Sequence, residues 1–182
     1  DGLQIIDQAD EVNALAQSVT DSGGVMLVPA FTGWGTPHWD PQARGVLVGL
    51  TRDSNRGHIA RAALEGIALS VATLVELAGE ALGRGLGELA VDGGAAASDP
   101  LLQAQADSTG LTVRRPRNLE STARGIALFA GVQCGLIPDL SAIAAHRQDD
   151  VQRFEPQINT ERRRHQRDRW NDAVNRSLGW HG

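Results

Sequence analysis

An α/β chain is what the sequence predicts, and three observations predict it. Short apolar runs of strand length alternate with longer segments whose apolar residues recur at helical spacing. One such run, Glu88 to Asp92, passes directly into Gly93-Gly94 and from there into a helical segment. A wide apolar stripe, Ile59, Ala63, Ile67, Val71 and Val75 with Leu64, Leu74 and Ala78 beside it, marks one long helix that Gly83, Gly85 and Gly87 end. At 182 residues, 41% of them apolar, the chain has the size of one well-buried domain.

The elements follow in order. From Ile5 to Val19, Ile6, Val12, Leu15 and Ala16 fall at mostly helical spacing, and Asp21-Ser22-Gly23-Gly24 supplies the turn after them. Val25 to Val28, bounded by that turn and by Pro29, reads as a buried strand. Phe31 to Gly45 holds three Gly, two Pro, two Trp and a His, the composition of an ordered loop with aromatic anchors, and a loop of that length implies a function. Gly45 to Leu50 resumes strand character, and Asp53-Ser54-Asn55 offers capping side chains to the long helix. Beyond Glu88–Asp92, the segment Ser98 to Ser108 is amphipathic, with Leu101, Leu102, Gln105 and Ala106 in step, and Leu111 to Val113 is a brief strand closed by Pro116. Thr122 to Gly135 is apolar nearly all round, which predicts a helix sandwiched on more than one side, with Cys134 as a small core residue. Asp139 to His146 reads as a short helix, Val151 to Pro156 as extended, and Thr160 to Leu178 as a polar terminal helix carrying Trp170, Val174 and Leu178 at i, i+4, i+8. One domain therefore spans 1–182, with 1–20 a helical lead-in and 157–182 a C-terminal helix.

Charge and composition exclude several classes. Seventeen basic against 22 acidic residues, net −5, give no electrostatic footprint for nucleic acid or an anionic membrane. Every basic residue is Arg, so within this chain amine nucleophiles and phosphate-loop lysines are excluded. One cysteine cannot form an internal disulfide, and Asp1, Asp7, Asp10 and Glu11 stand where a secretory leader would be basic, so a cytoplasmic protein without a membrane span is expected. The start at Asp1 without a methionine predicts a fragment. His58 and Glu65, seven apart, lack the i, i+4 spacing of paired helix ligands, and the other histidines form no cluster, so no metal site is expected. The run Arg162-Arg163-Arg164 with Arg167 and Arg169, interrupted by Glu161 and Asp168, reads as a solvated helix face. Trp34 and Trp39 are costly to expose and are expected to bury against an absent partner domain or another copy.

The junction Asp92-Gly93-Gly94-Ala95-Ala96-Ala97-Ser98 carries the most chemistry. Two residues without Cβ atoms at a strand end let backbone pass close to a ligand, and the helix that follows offers unpaired N–H groups and a positive dipole end to a phosphate or a ribose oxygen. Such turns also exist for tight packing alone. Asp92 stands where it orients a metal-bound water, or else serves as a structural cap.

The loop Pro29-Ala30-Phe31-Thr32-Gly33-Trp34-Gly35-Thr36-Pro37-His38-Trp39-Asp40-Pro41-Gln42-Ala43-Arg44-Gly45 resembles the loop typical of the FGGY carbohydrate-kinase family. Gly45-x-Leu47-x-Gly49-Leu50, seven residues, His58-Ile59-x-x-Ala62-Ala63-Leu64-Glu65 resembles that family's second signature. Asp92-Gly93-Gly94-Ala95, Gln103-x-Gln105-Ala106-Asp107, Arg115-Pro116 and Glu120-Ser121-Thr122-Ala123-x-Gly125 follow in the family's order. The resemblance implies a ribonuclease-H-like, actin-like ATPase domain with a mixed sheet flanked by helices. It also implies ATP or ADP with Mg2+ as cofactors, a polyol acceptor such as glycerol, and a homo-oligomer. By this correspondence Gly93, Gly94, Ala95 and Ser98 bind the nucleotide. The catalytic aspartate, the polyol-binding residues and an N-terminal domain would lie upstream of Asp1, so this chain holds no catalytic residue and is inactive alone. Two positions depart from the pattern of the glycerol-phosphorylating members. Ser98 stands where they commonly carry Asn, and His38 where they usually carry Tyr and xylulose-phosphorylating members often carry His. A sugar acceptor such as xylulose or gluconate, or a non-catalytic actin-like module that binds nucleotide or a protein partner, are the alternative readings.

Overall fold

The computed structural model describes residues 6–139, 141–142 and 151–180. Among the described residues the bounded helices and strands follow in the order α1 (Glu11–Gln17), β1 (Met26–Val28), β2 (Val46–Val48), α2 (Arg56–Leu82), β3 (Glu88–Ala90), α3 (Asp99–Thr109), β4 (Thr112–Pro116), α4 (Ser121–Gln133), β5 (Val151–Phe154) and α5 (Thr160–Ser177). A 3₁₀ turn, Gly94–Ala97, precedes α3. The strands form two small sheets. In one, β1 and β2 pair antiparallel across the aromatic loop, and in the other the order is β3-β4-β5, with β3 parallel and β5 antiparallel to β4. The α/β class holds.

Helix α1 starts at Glu11, later than its apolar spacing predicts, because the Glu11 carboxylate accepts the backbone amides of Asp7 (3.1 Å) and Gln8 (2.7 Å) and holds the preceding residues in a turn. Helix α2 has a capping box: Asn55 accepts from the amides of Gly57 and His58, and His58 Nδ1 accepts from the amide of Asn55. It ends at Gly83 in the left-handed conformation. The face it buries is Ala60, Leu64, Ala68, Leu69 and Ala72, while Ile67 of the predicted stripe is 41% exposed. Small residues win that face because α2 lies directly on β1. A Cβ built at Gly66 would stand 2.1 Å from the carbonyl oxygen of Leu27. The length and composition of α2 suffice for a membrane span, but this small-residue face is spent on packing.

Three apolar clusters make the core. Met26, Val28, Leu69, Trp170 and Val174 gather under the β1-β2 ribbon; Ala16, Ala60, Leu64, Ala68 and Leu101 join α1, α2 and α3; Leu102, Ala106, Val113 and Phe154 pack α3 on the three-stranded sheet. Each fully buried Leu or Val in them contributes about 1.5–3 kcal/mol.

Several expectations are corrected. Among the described residues nothing sandwiches helix α4: Gly131 is its one buried residue, and Ile126 and Phe129 are exposed, with Leu136 beyond its end. Cys134 is likewise exposed and not a core residue, because it sits at the end of that uncovered helix. Trp34 needs no partner domain, since it packs edge-on against Trp170 at 6.2 Å and donates its indole N–H to Ser177 Oγ at 3.0 Å, whereas Trp39 is 73% exposed. The arginine-rich face of α5 is more than solvated. Arg163 donates to the carbonyl of Asp107, Arg167 to Thr73 and Glu76, and Arg169 to the carbonyl of Gly24, so the side chains tie α5 to three other segments. Most of the short helix expected over 139–146 lies outside the described residues.

Candidate functional site

The turn between β3 and α3 is built from local rules. After β3, the amide of Val91 still donates to the Arg114 carbonyl (3.0 Å), extending the parallel pairing by one step. Gly93 then takes φ 79°, ψ 178°, a conformation reserved for glycine, and its amide donates to the carbonyl of Leu119 at 2.9 Å. The chain closes into the 3₁₀ turn through Ala96 N to Gly93 O (3.0 Å) and Ser98 N to Ala95 O (3.2 Å). Ser98 caps α3, its hydroxyl oxygen accepting from the amide of Leu101 at 3.3 Å.

Gly94, Ala95 and Ala97 face solvent, and a Cβ built at Gly93 or Gly94 would meet nothing within 4 Å. The two glycines therefore do not serve tight packing inside this chain. Cavities flank the turn on both sides. One, of about 430 Å³, is lined by Ala97, Arg115, Pro116, Arg117, Leu119 and Gln152; the other, of about 390 Å³, includes Asp92, Arg114, Asn118, Ser121 and Arg124. Their linings carry four arginines and one carboxylate, and two of those arginines are already ion-paired, Arg115 with Asp99 and Arg114 with Glu88. The buried Nε of Arg114 has no hydrogen-bond partner. The turn itself offers open backbone at the mouth of a capped helix.

The sequence-predicted residues separate into two kinds. Gly93, Gly94 and Ala95 form the open lip of the turn, and Asp92 is exposed at its entrance. Ser98 is buried, 9% exposed, and donates its hydroxyl hydrogen to Asn13 Oδ1 of α1 at 2.5 Å, so its side chain is spent on the helix cap and on a neighbouring helix. His58 and Glu65 are occupied separately, His58 by the α2 capping box and Glu65 by Arg61 at 2.8 Å. Among the described residues no group of three His, Cys, Asp or Glu is placed to hold a metal. The sequence gives no sign of Asn13, and it shows Arg115 only as part of the Arg115-Pro116 motif, with no role. No local pattern marks Asn13; the signal for Arg115 was its place beside a proline at the end of a strand that borders the turn.

Away from the turn, Glu88 at the start of β3 joins all three strands of its sheet, accepting from Arg153 (2.6 Å) and Arg114 (3.0 Å). The hydrogen bond from Arg153, reinforced by the charges of Arg114 and Arg153, holds its carboxyl below the usual glutamate value.

The structure thus joins a strand that ends in a solvent-open Gly-Gly turn to the mouth of a capped helix, within an α/β unit. The chain belongs to the FGGY family of carbohydrate kinases: residues 3–134 match that family's C-terminal domain. It is 53% identical over 180 residues to the glycerol kinase of Citrifermentans bemidjiense, covering 99% of this chain and 36% of that protein. The glycerol kinase of Geobacter sp. strain M21 is 52% identical with the same coverage. The crystal structure of Plasmodium falciparum glycerol kinase with ADP matches 96% of this chain and 35% of its own, with a TM-score of 0.82 at 30% identity. The chain thus spans about a third of the length of the relatives it matches.

Proposed function

We propose that this chain is the nucleotide-binding portion of an ATP-dependent glycerol kinase, which transfers the γ-phosphoryl group of ATP to a glycerol hydroxyl and yields glycerol 3-phosphate. The observation that carries the reading is the open Gly93-Gly94 turn at the mouth of α3. Relatives named glycerol kinase along 99% of the chain support it, as does a similar structure that holds ADP. In this reading Gly93, Gly94 and Ala95 bring backbone against the nucleotide, and the amides at the start of α3 face a phosphate or ribose oxygen. Ser98 contributes by fixing the mouth of α3.

Phosphoryl transfer needs attack of the acceptor oxygen on the phosphorus, departure of the ADP oxygen and removal of the hydroxyl proton by a base. In the reading, the base and the polyol-binding residues come from an N-terminal domain outside this chain, so the isolated chain binds nucleotide weakly and turns over nothing. Mg2+ bound with the nucleotide would neutralise phosphate charge, and Asp92, at the entrance of the turn, would either orient a water of that ion or act only as a structural cap. The uncovered face of α4 and the exposed Phe31 and Trp39 are then surfaces that the rest of a cytoplasmic, homo-oligomeric enzyme covers.

The test is Gly94→Val in the full-length protein. A Cβ at Gly94 meets no described atom within 4 Å, so a valine there projects into the ligand space of this reading: ATP affinity falls by at least about a hundredfold, the cost of a steric block comparable to a lost charged contact, while the melting temperature stays near that of the parent. Unchanged affinity removes the site assignment.

A further inference from the structure

Arg115 holds the candidate turn from below. Its Nη1 donates to the carbonyl of Ala96 at 2.8 Å, inside the 3₁₀ turn. Its Nη2 reaches the carboxylate of Asp99 in the first turn of α3 at 2.7 Å and Gln152 Oε1 of β5 at 2.5 Å. The guanidinium stacks over the Phe154 ring, 5.3 Å from its centroid, and the side chain is only 15% exposed. One planar cation thereby joins the turn, the helix it opens into and the sheet beneath both.

Two consequences follow from these contacts. Because the carbonyl of Ala96 is claimed from the sheet side, the 3₁₀ turn is fixed with its Gly94 and Ala95 lip open before any ligand arrives. Because Asp99 lies at the helix mouth, its charge would oppose a phosphate there, and Arg115 neutralises it. We propose that Arg115 is a positioning residue for the nucleotide: it pre-shapes the Gly93–Ala97 turn and screens Asp99 from the phosphates, without touching the reacting atoms. This rests on the reading of the turn as the nucleotide site.

The experiment uses the full-length protein and measures ATP binding by calorimetry, kcat, KM for ATP and for glycerol, and melting temperature. Arg115→Ala should weaken ATP binding and raise its KM about tenfold, the loss of one charged hydrogen bond with its electrostatic partner exposed, while kcat and the glycerol KM stay within about twofold. Adding Asp99→Asn to Arg115→Ala should recover about threefold of that loss, because it removes the uncovered charge; a merely structural arginine gives no such recovery. Arg115→Lys, which keeps the charge but not the fork, should fall between parent and Ala, and it carries the test if the Ala variant does not fold. Wild-type ATP affinity in a folded Arg115 variant, or equal losses in both KM values and kcat with no recovery from Asp99→Asn, overturns the proposal. Gly94→Val in the same assay separates the two failures: if it leaves ATP binding intact the site itself is wrong, and if only it weakens binding the arginine role is wrong.

Discussion

Gly93 and Gly94 stand side by side and answer to different constraints. Gly93 needs its positive φ of 79°, whereas Gly94 has ordinary backbone and needs only the space in front of it. Gly93→Ala should therefore lower stability by about 1–2 kcal/mol, the cost of forcing an L side chain into that region, read as a drop in the urea midpoint. Gly94→Ala should leave the midpoint unchanged, and an equal loss at both positions would mean that the turn is not held as described. The pair was legible in the sequence because a strand-like run led straight into it. Ser98 was legible as a cap but not as a partner of Asn13, since the two lie 85 residues apart and only the packing of α1 on α3 joins them. The role of Arg115 was hidden for the same reason. Its carbonyl partner, Ala96, lies across a parallel crossover whose register no local pattern records.

At the scale of elements, periodicity located every helix that the described residues contain, but it misjudged which faces are covered. It put Ile67 of α2 inside, yet the close approach of α2 to β1 selects Gly66 and the alanines around it. It saw an all-round apolar α4 and inferred a sandwich that the described residues do not supply. The three-stranded sheet has its own lock in Glu88, which grips β4 and β5 through Arg114 and Arg153. Its folded-state pKa is lowered, so its contribution is present above the unfolded carboxyl value near about 4.3 and is lost as pH falls through the folded value. Glu88→Gln should be less stable than the parent at neutral pH, by a modest margin because the side chain is 40% exposed, and the two urea midpoints should converge on acidification. A gap that persists at low pH would assign the effect to something other than the charge.

Across the described residues, several large apolar side chains lie uncovered. Phe31 (71%) and Trp39 (73%) project from the loop between β1 and β2, and Ile126 (66%), Phe129 (59%) and Leu136 (83%) mark the α4 side. The chain spans about a third of the length of its relatives, and in the proposed reading these side chains meet the rest of the enzyme. The isolated chain should bind an apolar dye or self-associate, and the full-length protein should do neither at those positions; a dye-silent monomer would contradict that account. The central claim is that nucleotide approaches the backbone at Gly94, and a structure of the full-length protein with ADP tests it most directly. The account predicts a nucleotide oxygen about 2.7–3.2 Å from the Gly94 amide nitrogen. ADP bound instead in the cavity of about 300 Å³ lined by Arg61, Asp107 and Arg162, with the Gly93-Gly94 turn left bare, would contradict it.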